Sequence, residues 1–446
     1  MKYSWIKKGK IVDSMDDKKK IILIEVAVAL LFILMAFSPR MYPDEGTYLN
    51  YGDAWSEGVL IPEGEIPVPN RPVFISIASV VSGFSLPIAR MDILPFVLGS
   101  VFLGFKIGKE IGLPGEFTSL PLLFSPIYLT YFGTFLTDYV LVFFTLLSIY
   151  FFFRSRDEDS SKYGCLMGVS TALAILTRES AVLLIVIFLV FYKEFRFKEF
   201  LVSAFVPVLG YMAFLRRDFF LFLEYSLEYG YEFAVPGIQS FLNMVLVGLG
   251  PVLLIAILGL VDREYGELPV KLSLVYLLVM GVATLVFTVT WVPRYMIMLL
   301  PGLLIPSAKG LLRIEKNVLL SFVLILVLGA GGSVVAYRVN AAERDWGIDK
   351  YEQGVEVIDQ YEDGEVYMQI NDEQLRWLKD SDRFRKLPRT YQGLKKETGC
   401  EDVPVFLWKY RGYTIWKPGY WDDVVIESVL EDVEEGKMVR ISCLDS

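Results

Sequence analysis

Two adjacent carboxylates, Asp44 and Glu45, stand in the stretch Pro43-Asp44-Glu45-Gly46-Thr47-Tyr48, directly after the first apolar run long enough to cross a bilayer. An acid held at a water–lipid boundary is partly desolvated; this raises its pKa and makes it a better base toward a hydroxyl. A solvated loop pair or a helix N-cap is the plainer alternative. Ionisable groups at a membrane edge usually have work to do, and this weights the pair, with Tyr48 beside it, toward a substrate site. Asp138, in Phe135-Leu136-Thr137-Asp138-Tyr139, is a further carboxylate; it reads as an N-cap with Thr137, as a site acid, or as both. Arg178-Glu179 follows Leu176-Thr177 and can close a local salt bridge, or Arg178 can bind phosphate oxygens, which a planar guanidinium fits better than an ammonium does. Arg294-Tyr295 follows Trp291-Val292-Pro293, either as an aromatic belt with a snorkelling cation or as a phosphate-binding cation. Arg71-Pro72 ends the loop that Asp44 begins. Pro72 suits a first helical turn, and Arg71 faces either a phosphate or lipid head groups. Glu25, inside the first apolar run, reads as snorkelling or paired.

The residue inventory narrows the chemistry. The chain has no histidine, so imidazole acid–base catalysis, histidine metal ligands and a Ser-His triad are excluded. No P-loop, dinucleotide fingerprint or Cys-x-x-Cys pattern is present. No basic stripe interleaves with aromatics on a soluble face, so no nucleic-acid partner is expected. Of the three cysteines, Cys165 falls inside an apolar run, while Cys400 and Cys443 share the tail and can pair only if that tail is extracellular.

Positioning these groups falls to helices in a membrane. Hydrophobic residues make up 54% of the 446-residue chain and mean hydropathy is +0.47, too apolar for a soluble protein of this length. Apolar runs fall near 21–37, 72–86, 90–108, 116–133, 138–153, 163–177, 180–192, 199–215, 241–261, 270–290, 295–312 and 318–337. The first follows Lys18-Lys19-Lys20 without a small-x-small cleavage site and reads as a retained anchor. If the run at 72–86 lies along the surface and does not cross, the lysine- and arginine-rich loops all fall on the inner side; if it crosses, that bias disappears. The first arrangement gives about eleven spans. It places the N-terminus inside, the tail outside, and the candidate acids and arginines at outer ends of spans. Most of the surplus acid lies in the tail, whose segments 352–361 and 421–435 read as helices. Glu365–Ile370, Val403–Tyr410, Tyr413–Trp416 and Met438–Cys443 read as strands. The expected fold class is an all-α polytopic membrane protein with a small α/β extracytoplasmic C-terminal domain. Its parts are a cytoplasmic tail at 1–20, a transmembrane domain at 21–337 with a juxtamembrane loop at 38–89, and a soluble domain at 338–446. Gly329, Gly331 and Gly332 in the last run suit close helix packing.

In order along the chain, the elements are Asp44-Glu45, Arg71-Pro72, Ser125-Pro126 through Leu136-Thr137-Asp138, Leu176-Thr177-Arg178-Glu179, and Arg294-Tyr295 before Leu300-Pro301. This set resembles the GT-C superfamily of integral-membrane glycosyltransferases. It is most similar to the branch of protein O-mannosyltransferases and lipid A aminoarabinose transferases, over roughly the first 340 residues. One position departs from the pattern: Val73 stands where the family often has a second proline. The resemblance implies inverting transfer of a sugar, of hexosyltransferase type, from a polyprenyl-phosphate donor of the dolichyl-phosphate kind to an acceptor hydroxyl on the outer membrane face. By resemblance, Asp44 is the general base, and Glu45 and Asp138 shape the donor or acceptor site. Arg71, Arg178 and Arg294 hold the carrier phosphate, with Tyr48, Glu179 and Tyr295 contacting substrate. The implied partners are the lipid-linked sugar, a protein, lipid or glycan acceptor, and the bilayer. No cofactor is required when arginines offset the leaving phosphate, and a divalent cation remains possible. The alternatives are a membrane transporter of a lipid or small solute, and an oligosaccharyltransferase of the same superfamily.

Overall fold

Proline and glycine punctuate an otherwise continuous series of apolar helices. The computed structural model describes residues 15–37, 43–59, 71–82, 84–158, 161–215, 238–260, 267–287 and 293–314. Toward the C-terminus it describes residues 366–368, 384–386, 403–410, 413–414, 424–432 and 436–443. The chain divides into two units. One comprises Met1–Phe37, Asn70–Phe74 and Arg90–Arg338; the other comprises Ser38–Pro69, Ile75–Ala89 and Val339–Ser446.

The first unit begins with α1 (Met15–Ala36). After it come α5 (Leu94–Glu110), α6 (Gly115–Phe124), α7 (Pro126–Thr130), α8 (Thr137–Glu158), α9 (Ser161–Thr177), α10 (Leu183–Val190) and α11 (Phe197–Leu215). The series ends with α12 (Ile238–Leu260), α13 (Glu267–Phe287) and α14 (Leu300–Ile314). The intervening α2 (Pro43–Ser56), α3 (Pro72–Val80) and α4 (Leu86–Met91) lie wholly or partly in the second unit. α5 starts with Pro95 in its first turn and stops in a Schellman motif: Gly112 takes φ +77°, its N–H donates to the Lys109 carbonyl, and Leu113 N–H donates to the Gly108 carbonyl. α6 and α7 are separated at Ser125, which is extended because Pro126 follows it. α12 breaks at Gly250 (φ +33°), next to Pro251, and Ser125 Oγ donates to the Gly248 carbonyl just before the break at 3.3 Å.

Two pairs of glycines four residues apart let helices touch through their backbones. A Cβ on Gly164 would stand 3.0 Å from the Arg196 carbonyl oxygen, and one on Gly168 2.4 Å from that of Phe200, so α9 lies directly on the start of α11. Gly104 and Gly108 of α5 receive Thr118 and Ser119 of α6 in the same way. Apolar side chains such as Leu23, Leu34, Val202 and Val206 point away from the protein interior, as lipid contact requires. Among the described residues four helical stretches are long and apolar enough to cross a membrane: Leu86–Glu110, Thr137–Arg156, Phe197–Phe214 and Met296–Ile314. α3 has nine residues, about 14 Å, less than a bilayer core needs. The run at 116–133 is interrupted at Ser125-Pro126, and the run at 180–192 opens with a 3-10 turn at Glu179–Val182 before α10. The run at 318–337 and the segment 352–361 lie outside the described residues.

In the second unit the C-terminal strands form one mixed sheet. They are β1 (Val366–Met368), β2 (Phe384–Lys386), β3 (Val403–Tyr410), β4 (Tyr413–Thr414), β5 (Val424–Asp432) and β6 (Gly436–Cys443). The order is β2-β1-β3-β6-β5, with β4 paired to β3; β1 runs parallel to β2 and β3, and β6 antiparallel to β3 and β5. The expected helix at 421–435 is therefore corrected to a strand. Its partner register shifts between Ile426 and Ser428 and again between Val429 and Glu431, leaving Glu427 and Leu430 as extra residues. Each bulge resets the alternation of inward and outward positions, so the apolar spacing imitates a helical period. Also in this unit, Gly52 of α2 meets Ala78 of α3, and Ser82 Oγ donates to Asp53 Oδ1 at 2.6 Å.

Candidate functional site

The turn between α7 and α8 fixes where the first site acid stands. Gly133 takes φ +77° and lies against the Met35–Ala36 backbone, where any side chain would collide. α8 then starts at Thr137, with Asp138 in its first turn. A carboxylate there is favoured by the positive end of the helix dipole. The Asp138 side chain is 1% exposed and is bound not as a cap but by a long-range partner: Arg178 Nη1 donates to its Oδ1. Its other oxygen, Oδ2, is buried without a hydrogen-bond partner among the described residues.

Arg178 reaches Asp138 because α9 stops one residue earlier. Arg178 is extended (φ −157°, ψ 126°), its N–H donates to the Ala174 carbonyl, and its carbonyl accepts from Ala181. Successive side chains of an extended segment diverge, so Arg178 and Glu179 do not close the local salt bridge that their adjacency offers. Arg178 goes to α8, while Glu179 goes to Arg71, just before α3, whose Nη2 lies 3.4 Å from Glu179 Oε1. Four ionic groups from three stretches of chain thus alternate in sign: Arg71, Glu179, Arg178, Asp138. Burial opposes ionisation of Glu179, but the guanidinium charges of Arg71 and Arg178 outweigh it and hold the carboxyl below its ordinary range. Half of the Glu179 side-chain surface is open even so.

A second 3-10 segment, Pro293–Leu299, brings the backbone of Arg294 and Tyr295 toward this end of the helices. Ser180 Oγ donates to Met298 Sδ at 3.1 Å, and Tyr276 Oη donates to the Met298 carbonyl at 2.8 Å. The segment packs on α7, α8, α12 and α13. The side chains of Arg294 and Tyr295 lie outside the described residues, as does that of Asp44, which takes the second position of α2. Glu45 and Tyr48 on the same helix are buried. α2 belongs to the second unit, while the four-group cluster belongs to the first.

Arg90 is not among the candidates that the sequence singles out. Arg90 is fully buried and its Nη1 donates to the Ala36 carbonyl at 3.0 Å, satisfying the last turn of α1. An arginine flanked on both sides by apolar residues in Pro87-Ile88-Ala89-Arg90-Met91 is the signal that marks it. Among the described residues no three His, Cys, Asp or Glu side chains gather as a metal site.

Three comparisons bear on this arrangement. A family model described as dolichyl-phosphate-mannose-protein mannosyltransferase matches residues 72–216, from α3 through α11. No curated protein matches by sequence. The fold is similar to the crystal structure of ArnT from Cupriavidus metallidurans bound to undecaprenyl phosphate, with a TM-score of 0.61 at 14% identity, covering 95% of this chain and 98% of that one. The apo state of the same protein gives a TM-score of 0.58 at 14% identity over the same shares. The archaeal oligosaccharyltransferase AglB from Archaeoglobus fulgidus, in complex with an inhibitory peptide and a dolichol-phosphate, gives 0.50 at 11% identity. That match covers 80% of this chain and 63% of the other.

Proposed function

We propose that this chain, an integral membrane protein with the fold of the GT-C superfamily of membrane glycosyltransferases, transfers a sugar from a polyprenyl-phosphate donor to an acceptor hydroxyl. The observation that carries the reading is the gathering of Arg71, Asp138, Arg178 and Glu179 at one end of the helices of a chain with this fold. The likeness to a protein bound to undecaprenyl phosphate and to one in complex with a dolichol-phosphate supports the carrier. The sugar is a hexose or hexose-like unit.

In this reading Asp44 takes the proton of the acceptor hydroxyl as its oxygen attacks the anomeric carbon. The new carbon–oxygen bond forms as the bond to the phosphate oxygen breaks, the configuration inverts, and the electron pair departs on the polyprenyl phosphate. Arg71, Arg178 and Arg294 offset the charge that grows on the leaving group. Glu45 and Asp138 Oδ2, which has no hydrogen-bond partner among the described residues, accept hydrogen bonds from sugar or acceptor hydroxyls, and Tyr48 and Tyr295 contact the substrate. The step needs no obligatory metal, and retention of activity in a chelator is the expected result. The site faces the extracytoplasmic side of the cell membrane, with the N-terminus cytoplasmic.

The test is turnover by the purified chain of an undecaprenyl- or dolichyl-phosphate monosaccharide. Wild type releases polyprenyl phosphate, and Asp44→Asn falls by at least about a hundredfold, the usual contribution of a positioned base. Equal release by both proteins removes Asp44 from the mechanism. A chain that turns over only oligosaccharide donors belongs with the AglB-like reading. A transporter releases no polyprenyl phosphate from any donor.

A further inference from the structure

We propose that Glu179 is a built-in stand-in for the carrier phosphate: it occupies Arg71 in the empty site, yields it to the donor, and returns to it as the product leaves. The inference rests on the transferase reading above and adds a role for a residue that the chemistry itself does not need.

The two ion pairs of the cluster differ in kind. Arg178 and Asp138 are 7% and 1% exposed, so separating them would strand two charges away from water. Glu179 is 52% exposed and its oxygen stands 3.4 Å from Arg71, at the loose edge of hydrogen bonding. The Arg71 side chain is 17% exposed, so the pair is open to water on its carboxylate side alone; at that length it holds less firmly than the sealed pair and can exchange partners. The local chain permits the exchange, because Glu179 opens a four-residue 3-10 turn and is held inside neither α9 nor α10. Arg178, by contrast, stays locked and keeps a fixed positive edge beside the exchanging pair.

Charge gives the exchange a direction. Among these four groups the two carboxylates offset the two guanidinium charges, so Glu179 withholds attraction that Arg71 would otherwise offer an entering anion. A polyprenyl-phosphate sugar is a phosphodiester with a single negative charge. The released polyprenyl phosphate is a monoester that carries nearly two at neutral pH. The carboxylate of Glu179 therefore opposes the product more than the donor, and the reaction itself creates the species that Glu179 displaces.

Binding of two probes to the detergent-solubilised full chain tests this: undecaprenyl phosphate, and its methyl diester as a singly charged counterpart. Glu179→Gln is expected to bind the monoester about fivefold more tightly, the upper end of what an exposed pair is worth, and the diester about twofold. Glu179→Ala shifts both affinities in the same direction, and Glu179→Asp, which keeps the charge, stays near wild type. If Gln and Ala variants with unchanged melting temperatures bind either probe no more tightly than wild type, Glu179 is not a competitor and the proposal falls, while the transferase reading stands on wild-type binding. If wild type binds neither probe, both fall.

Discussion

At Asp138 and Arg178 two opposite charges are almost sealed from water and are joined directly, Arg178 Nη1 donating to Asp138 Oδ1. Removing one member leaves the other buried without its direct partner, a loss that costs about 3–5 kcal/mol for a buried pair. Asp138→Asn keeps the shape and deletes the charge. It is expected to lower the melting temperature in detergent by several degrees and to abolish carrier-phosphate release. A variant that melts with wild type would show that the pair is not an anchor. The same logic makes the side chains at this end unequal. In the proposed exchange Arg178 stays on Asp138 while Arg71 trades Glu179 for phosphate, and Arg90 donates to the Ala36 carbonyl at the end of α1.

The helices hold these residues in place through surfaces of very small side chains. α9 can lie against α11 only because Gly164 and Gly168 present bare backbone to it. Since Arg178 follows the C-terminal end of α9, a shift of this helix displaces the four-group cluster. Gly168→Val forces two extra methyl groups into a gap where even a Cβ stands 2.4 Å from the Phe200 carbonyl. It is expected to destabilise the protein by roughly 1–3 kcal/mol, as overpacking does. Gly210, on α11, has open space around its Cβ position, and Gly210→Ala is expected to stabilise by up to about 1 kcal/mol through helix propensity alone. Thermal melting of the two variants in the same detergent reads both signs. Two shifts of like sign would contradict the packing assigned to this interface.

Within the helical unit the two ends of α8 have different chemistry. Asp138 opens the helix, and Arg154, about 24 Å farther along, pairs with Glu110 at the end of α5 and donates to Tyr163 of α9. Around that second end lie the pairs Lys20–Glu116, Lys109–Asp17 and Arg156–Glu194, and the exposed Lys162, Lys193 and Lys198. The cationic end and the end with the candidate site lie apart by nearly the thickness of a hydrocarbon core, and the proposed orientation sets the first on the cytoplasmic side. Single cysteines test the orientation in a background where Cys165, Cys400 and Cys443 are serine. Lys193→Cys is expected to react with a membrane-impermeant maleimide only after cells are opened, and Glu57→Cys in intact cells. Labelling of Lys193→Cys in intact cells overturns the sidedness.

Hydropathy, charge bias and the glycine and proline breaks are properties of short windows. Most of the long apolar helices, the short α3 and the strand Val403–Tyr410 were therefore legible in the residues, as was the set of acids and arginines worth watching, whereas α2, which carries Asp44, forms in a segment that reads as loop. Pairing is a different matter. Arg178 reads as the natural partner of Glu179, its neighbour, yet it binds Asp138 at a separation of 40 residues, while Glu179 binds Arg71 at a separation of 108. A single extended residue after α9 decides this, and nothing in the side-chain types announces it. The strand at Val424–Asp432 was hidden for a related reason: its two bulges are defined only against the register of β6, so its own residues carry the wrong period. The sequence alone determined which groups were present and that lipid surrounds them, because solvation acts on each segment separately. Which charge neutralises which was decided by the tertiary structure alone, because that choice depends on distances between segments that meet only after the helices have packed.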